Sequence, residues 1–103
     1  MFWRWLGRRT ATYHVQIGDG GRAGVVRYSE VGGSLEFWWE FTDGGAAIAV
    51  LDPAQWDAAH QAAAVWAVGR REEILRRLAR EVRRQRAPAA RISIEDRWIV
   101  LTL

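Results

Sequence analysis

Glycine-bearing breaks divide the first half of the chain at regular intervals. Asp19-Gly20-Gly21, Gly32-Gly33 and Asp43-Gly44-Gly45 each separate runs rich in β-branched and aromatic residues. Asp-Gly and Gly-Gly between such runs signal hairpins, because primed turns need positive φ at their centres. The pattern predicts strands near 11–17, 23–31, 34–42 and 45–51, joined as an antiparallel meander.

Placing a two-residue turn at each break fixes a register. Gly32-Gly33 at the centre sets Tyr28 opposite Phe37 and Val26 opposite Trp39. Asp43-Gly44 sets Trp39 opposite Ile48 and Phe37 opposite Val50. Asp19-Gly20 sets Tyr13 opposite Val26 and Val15 opposite Gly24. All three registers send one set of side chains to a single face, and a slip of one residue would scramble it. The expected core side is Tyr13, Val15, Ile17, Val26, Tyr28, Leu35, Phe37, Trp39, Phe41, Ile48 and Val50.

The segment Ser34-Leu35-Glu36-Phe37-Trp38-Trp39-Glu40-Phe41 leaves one large side chain out of this set. Alternation along a strand puts Trp38 on the opposite face, between Glu36 and Glu40. The predicted registers place it opposite Arg27 on one neighbour and Ala49 on the other. An Arg over an exposed indole is worth about 0.5–1 kcal/mol, and Glu36 and Glu40 lie diagonal to that Arg. The outer face then carries a modest cluster of Val25, Arg27, Trp38, Ala49 and Leu51.

After Asp52-Pro53 the pattern changes. Asp is an N-cap and Pro a favoured first helical residue. Trp56, Ala59, Ala63 and Trp66 follow at spacings of three and four, which predicts a helix near 53–67. Gly69 separates it from a second helix near 70–86, whose apolar stripe is Ile74, Leu75, Leu78 and Val82. Ala87-Pro88 ends that helix. The tail from 90 to 103 is β-rich and supplies one or two further strands. The expected fold is α+β over residues 1–103 as one domain: a four-stranded antiparallel meander plus C-terminal strand or strands, with both helices on the aromatic face.

Composition narrows the chemistry. Half of the 103 residues are hydrophobic, 26% are charged and the formal charge is +3, a mild bias with no partner implied. The seven Trp make much of the buried area aromatic. All fifteen basic residues are Arg, which together with abundant Ala and Gly reads as GC-rich, bacterial-type codon usage. With no cysteine, disulfides, thiolate nucleophiles and Cys-based zinc sites are excluded. No apolar run approaches the ~20 residues of a membrane span, and the start lacks a signal-peptide core. The expected location is cytoplasmic.

Catalytic patterns are thin. The serines, Ser29, Ser34 and Ser93, lack a nucleophile-elbow context. His14 has outward strand parity and His60 flanks the apolar face of the first helix. Asp57 and His60 share one side of that helix, but two ligands do not make a metal site. Glu36 and Glu40 are four strand residues apart, about 13 Å, wider than the roughly 5–9.5 Å of glycosidase pairs. Residues 18–23 match the literal dinucleotide pattern, yet a strand rather than a helix follows, so a hairpin accounts for the glycines. No cofactor is implied. The weakest reading is a small enzyme with a perturbed carboxylate in a pocket.

Two surfaces remain. The second helix gathers Arg76, Arg77, Arg80, Arg83 and Arg84 on an arc of about 120°, a phosphate-binding row or a solvated face. Glu72–Arg76 and Glu73–Arg77 are favourable i,i+4 pairs, and acids early with Arg late suit the helix dipole. The segment Phe2-Trp3-Arg4-Trp5-Leu6 with Arg8 and Arg9 mixes aromatics and cations, as interfacial anchors do, though packing against the fold accounts for it better. The leading expectation is a non-enzymatic binding protein. It contacts a protein, or a second copy of itself as a homodimer, through Trp38 with Arg27, Glu36 and Glu40 at the rim. The alternative is a nucleic-acid-binding module using the Arg face.

Overall fold

The computed structural model describes residues 13–18 and 21–103, so the Phe2–Arg9 segment and the Asp19-Gly20 turn centre lie outside the described residues. Strand β1 (Tyr13–Ile17) is followed by β2 (Ala23–Glu30), β3 (Gly33–Thr42) and β4 (Gly45–Ala49). Helix α1 (Pro53–His60), one 3-10 turn (Val65–Ala67) and helix α2 (Arg71–Arg86) come next, then β5 (Arg91–Ile94) and β6 (Trp98–Thr102). The strands form one six-stranded sheet in the order β1-β2-β3-β4-β6-β5, antiparallel at every junction. The expected α+β meander is present, and the tail supplies two strands that extend it on the β4 side.

The register at Asp43-Gly44 is as expected, with Trp39 opposite Ile48. The other two differ. The β2–β3 turn centres on Val31-Gly32, so Tyr28 faces Leu35, Val26 faces Phe37 and Gly24 faces Trp39. The reason is tertiary. A Cβ on Gly32 would come within 2.7 Å of the Trp66 ring, and Gly33 takes a φ of 148° beside the same indole. These glycines let Trp66 press onto the hairpin rather than supplying a primed turn. The β1–β2 ladder sets Tyr13 opposite Glu30, Val15 opposite Tyr28 and Ile17 opposite Val26. Its loop is longer than two residues and is closed by Gly18 N–H donating to Val25 O at 2.7 Å. Both differences are even numbers of residues, so each side chain stays on its expected face.

Phe37 does not meet Val50 in a ladder. Pairing between β3 and β4 ends at Trp39–Ile48, and the chain beyond β4 follows β6 instead, with Val50 N–H donating to Arg97 O at 3.0 Å. The sheet therefore parts between the first half of β3 and the end of β4.

α2 covers the inner face. Ile74, Leu75, Leu78, Ala79 and Val82 are buried against Val26, Tyr28, Ile48, Ile99 and Leu101. Gln85 Nε2 fastens the helix to β1 through Val15 O at 3.1 Å. Arg71 fastens its other end to the backbone carbonyls of Leu51, Glu95 and Asp96.

The first helix is shorter than its spacing predicts, stopping at His60. Asp52 caps it by accepting from Gln55 N–H at 2.8 Å, with Pro53 following. Trp56 is fully buried and its indole N–H donates to Ala67 O at 2.9 Å. Asp57 accepts from Gly69 N–H at 2.8 Å. Those two bonds turn the chain back so that Ala64 and Ala67 bury over Trp56, which a continuous helix would not allow. Phe41 also departs from the expected core. It is 46% exposed, lying edge-on to Trp39 with centroids 5.0 Å apart at the open end of the inner face.

Candidate interaction face

Trp38 projects from the outer face and is 50% exposed. Its cross-strand neighbour is Val25, not Arg27. The two-residue difference in register sets Arg27 opposite Glu36 instead, where Arg27 Nη2 lies 2.6 Å from a Glu36 carboxylate oxygen. The expected pairing of Arg27 across from Trp38 is thereby replaced by an ion pair one step along, with Arg27 diagonal to the indole.

On its other side the ladder to β4 stops at Trp39–Ile48, so Trp38 faces Ala49 across the parting of the sheet. Ala49 in turn pairs with Trp98. The outer face therefore carries two apolar pairs, Val25–Trp38 and Ala49–Trp98, which flank the parting between β3 and β4, with Val25 41% and Trp98 37% exposed. Below it, Glu40 lies opposite Ala23 on one side and Ala47 on the other. Ala47 pairs with half-buried Val100. Among the described residues Glu40 has no cationic partner.

Trp38, Arg27, Glu36 and Glu40 thus share one surface. Trp98 belongs with them and was not anticipated. Its signal is the alternation in Trp98-Ile99-Val100-Leu101, which becomes informative only once the tail is known to pair with β4.

Beside Trp38 the parting of the sheet opens a cleft of about 380 Å³, lined by Leu35, Phe37, Val50, Leu51, Trp56 and His60 among others. Trp56 stacks on Phe37 and meets the His60 ring edge-on at 4.3 Å. His60 Nδ1 is buried with no hydrogen-bond partner among the described residues. Asp57 accepts from Gly69 through Oδ1, and no hydrogen bond joins it to His60 among the described residues. No group of three or more His, Cys, Asp or Glu side chains converges among the described residues. Residues 21–23 lead directly into β2, not a helix. His14 is exposed on β1.

The Arg face of α2 is largely engaged. Arg76 lies 3.6 Å from Glu72, Arg77 3.0 Å from Glu73 and Arg84 2.5 Å from Glu81. Arg77 also reaches Glu30 at 3.4 Å and lies over the Tyr13 ring at 4.9 Å. Of the five, only Arg80 and Arg83 lack a carboxylate partner among the described residues.

The strongest electrostatic feature is internal. Glu30, at the end of β2, receives Arg70 and Arg77 from the helix side and the hydroxyl of Tyr28. Burial opposes the Glu30 charge, but hydrogen bonds from Arg70 and Tyr28 outweigh it and hold the carboxyl below its ordinary range. Burial, reinforced by the bond to Glu30, pushes Tyr28 up to about 12. Every member is matched by an opposite or donating group, so this cluster fixes α2 to the sheet rather than offering a reactive centre.

No helix among the described residues is long and apolar enough to cross a membrane. No protein-family model, curated protein or solved structure matches the chain.

Proposed function

We propose that this chain is a small non-enzymatic binding module that contacts a protein partner through its outer sheet face. Trp38 is the anchor, Trp98 its companion, and Arg27, Glu36 and Glu40 form the polar rim. The observation that carries this reading is the half-exposed Trp38 beside Val25, with the Ala49–Trp98 pair facing it across the parting of the sheet.

A buried Trp contributes about 150–250 Å², so roughly 100 Å² of Trp38 is still available to a partner. At ~25 cal/mol per Å², covering it is worth up to about 2.5 kcal/mol, the scale of an interface hot spot. Apolar area presented around one anchor and ringed by charges is the anatomy of a protein contact. The nucleic-acid alternative rests on Arg80 and Arg83, because the other three members of the row are balanced by carboxylates.

The test compares wild type with Trp38→Ala in cross-linked partner capture, after near-UV circular dichroism shows both to be folded. The reading requires that a protein held by wild type be held at least about tenfold more weakly by the variant. Undiminished capture overturns it.

A further inference from the structure

We propose that the occupant of the outer face is the same face of a second copy, giving a two-fold symmetric pair of sheets. This rests on the reading above and names its partner. A two-fold contact requires one patch to contain both a projection and the recess that receives it. Here Trp38 and Trp98 project on either side of Ala49, and the next level along β4 is Ala47.

Matching the Trp side chains to smaller residues selects the axis. An axis parallel to the strands, between β3 and β4, lays each strand over its mirror position in the sheet order. Trp38 then lies over Ala49 of the second copy, and Trp98 over its Val25. Large side chains meet small ones twice, by symmetry. Ala47 receives Glu40 at its margin.

Charge follows the same operation. Arg27 on β2 is carried toward the β5–β6 turn of the second copy, where Glu95 and Asp96 are exposed. Neither of those carboxylates has an Arg partner among the described residues. Arg27 is half exposed while bound to Glu36, which leaves its guanidinium able to bridge both. Two equivalent contacts result, each between Arg27 and the Glu95 and Asp96 carboxylates of a turn that also carries exposed Arg97.

Area sets the strength. Six strands ~4.8 Å apart span about 24 Å, and five residues span about 17 Å, a face of roughly 400 Å² before side-chain relief. Stable complexes bury about 800 Å² per partner. The pair is therefore a weak one, dissociating in the micromolar range or above.

The experiment is sedimentation equilibrium of the full chain from about 10 to about 500 µM, a range matched to that expectation. Wild type is expected to show a reversible monomer–dimer equilibrium. Trp38→Ala, or Trp98→Gln if the first fails to fold, should weaken it about tenfold or more. Arg27→Glu should weaken it as well, and Arg27→Glu with Glu95→Arg and Asp96→Arg should restore part of the loss. A wild type monomeric throughout overturns this inference alone, because partner capture through Trp38 remains separately measurable. A dimer indifferent to both Trp variants also overturns this inference, since the pair then forms through another surface, while capture by Trp38→Ala still judges the reading beneath it. A dimer sensitive to Trp38→Ala but indifferent to Arg27→Glu overturns the proposed axis.

Discussion

Arg70 grips Glu30 with two hydrogen bonds, Nη1 to Oε1 at 2.9 Å and Nη2 to Oε2 at 2.7 Å, joining residues forty apart. The fork spans the junction between the start of α2 and the end of β2, where Glu30 is largely shielded from water. Removing one partner leaves the other charge poorly solvated. Glu30→Ala is expected to destabilise the fold by about 2–3 kcal/mol, the range for charged hydrogen bonds in partly buried settings. Urea unfolding at neutral pH checks this. The sign of the pH dependence follows from the depressed Glu30 carboxyl. Its contribution is complete above the unfolded carboxylate range and is lost as pH falls through the lower folded value. Wild type should therefore lose stability in acid more steeply than Glu30→Gln.

Tyr28 gives the opposite sign at the other end of the scale. Its folded value of about 12 lies above the ordinary ~10 of a free phenol, so folding favours the protonated hydroxyl. That contribution is complete below pH ~10 and disappears as pH rises toward ~12. Tyr28→Phe should be less stable than wild type at neutral pH, and the gap should narrow across that alkaline window. Denaturant midpoints taken on either side of it decide the matter.

Gly32 and Trp66 form a pair that a double-mutant cycle will resolve. Ala at position 32 would set a methyl 2.7 Å from Trp66 Cγ, and overpacking of that kind costs about 1–3 kcal/mol. In a Trp66→Ala background the space is open, so Gly32→Ala should then cost markedly less. Additive effects in urea unfolding would show that the close approach is not what the glycine serves.

This pair also shows where sequence reasoning stops. Which face each strand residue takes was legible because alternation survives even-numbered changes of register: Val26, Tyr28, Phe37, Trp39 and Ile48 are buried as expected. The registers themselves were not, because the demand for Gly32 comes from Trp66, more than thirty positions away and belonging to no hairpin. α1 ends early for the same kind of reason, since Trp56 and Asp57 bond to Ala67 and Gly69. In the candidate face, Trp38 was legible from local alternation. Its pairing with Val25 rather than Arg27 required the true β2–β3 register, and the presence of Trp98 on the same face required the long-range pairing of β4 with β6. The ion pairs Glu72–Arg76 and Glu73–Arg77 were legible because helix geometry alone sets them.

At the end of the sheet away from the cleft, a partly open pocket of about 270 Å³ lies between Trp39, Phe41, Ala46, Val82, Leu101 and Leu103, with Arg86 and Asp43 also on its wall. Ala46 pairs with Phe41 and Leu101 on the inner face, so a longer side chain there extends into existing space. Ala46→Ile is expected to stabilise by about 0.5–2 kcal/mol, as cavity filling commonly does. For a chain of this size that corresponds to a rise of several degrees in the thermal midpoint, at about 4–8 °C per kcal/mol. Scanning calorimetry measures it, and a fall in the midpoint would mean that the walls cannot accommodate the added methyls.

The Arg row of α2 yields a prediction about salt. A row of five unbalanced guanidinium groups would neutralise several phosphates, and affinity for DNA would then fall steeply with ionic strength. Three of the five face carboxylates, and Arg77 is further drawn toward Glu30 and Tyr13. Within the row, only Arg80 and Arg83 lack a carboxylate among the described residues, so the row's own contribution to the slope of log affinity against log salt is expected to be about −2 or shallower. Anisotropy of labelled single- and double-stranded oligonucleotides, at low and moderate salt, reads this directly. Little binding at low salt, unchanged in Arg80→Ala/Arg83→Ala, marks the row as a solvated helix face held in place by its own acids. A slope near −4 or steeper that collapses with those substitutions would instead move the contact surface from the sheet to the helix.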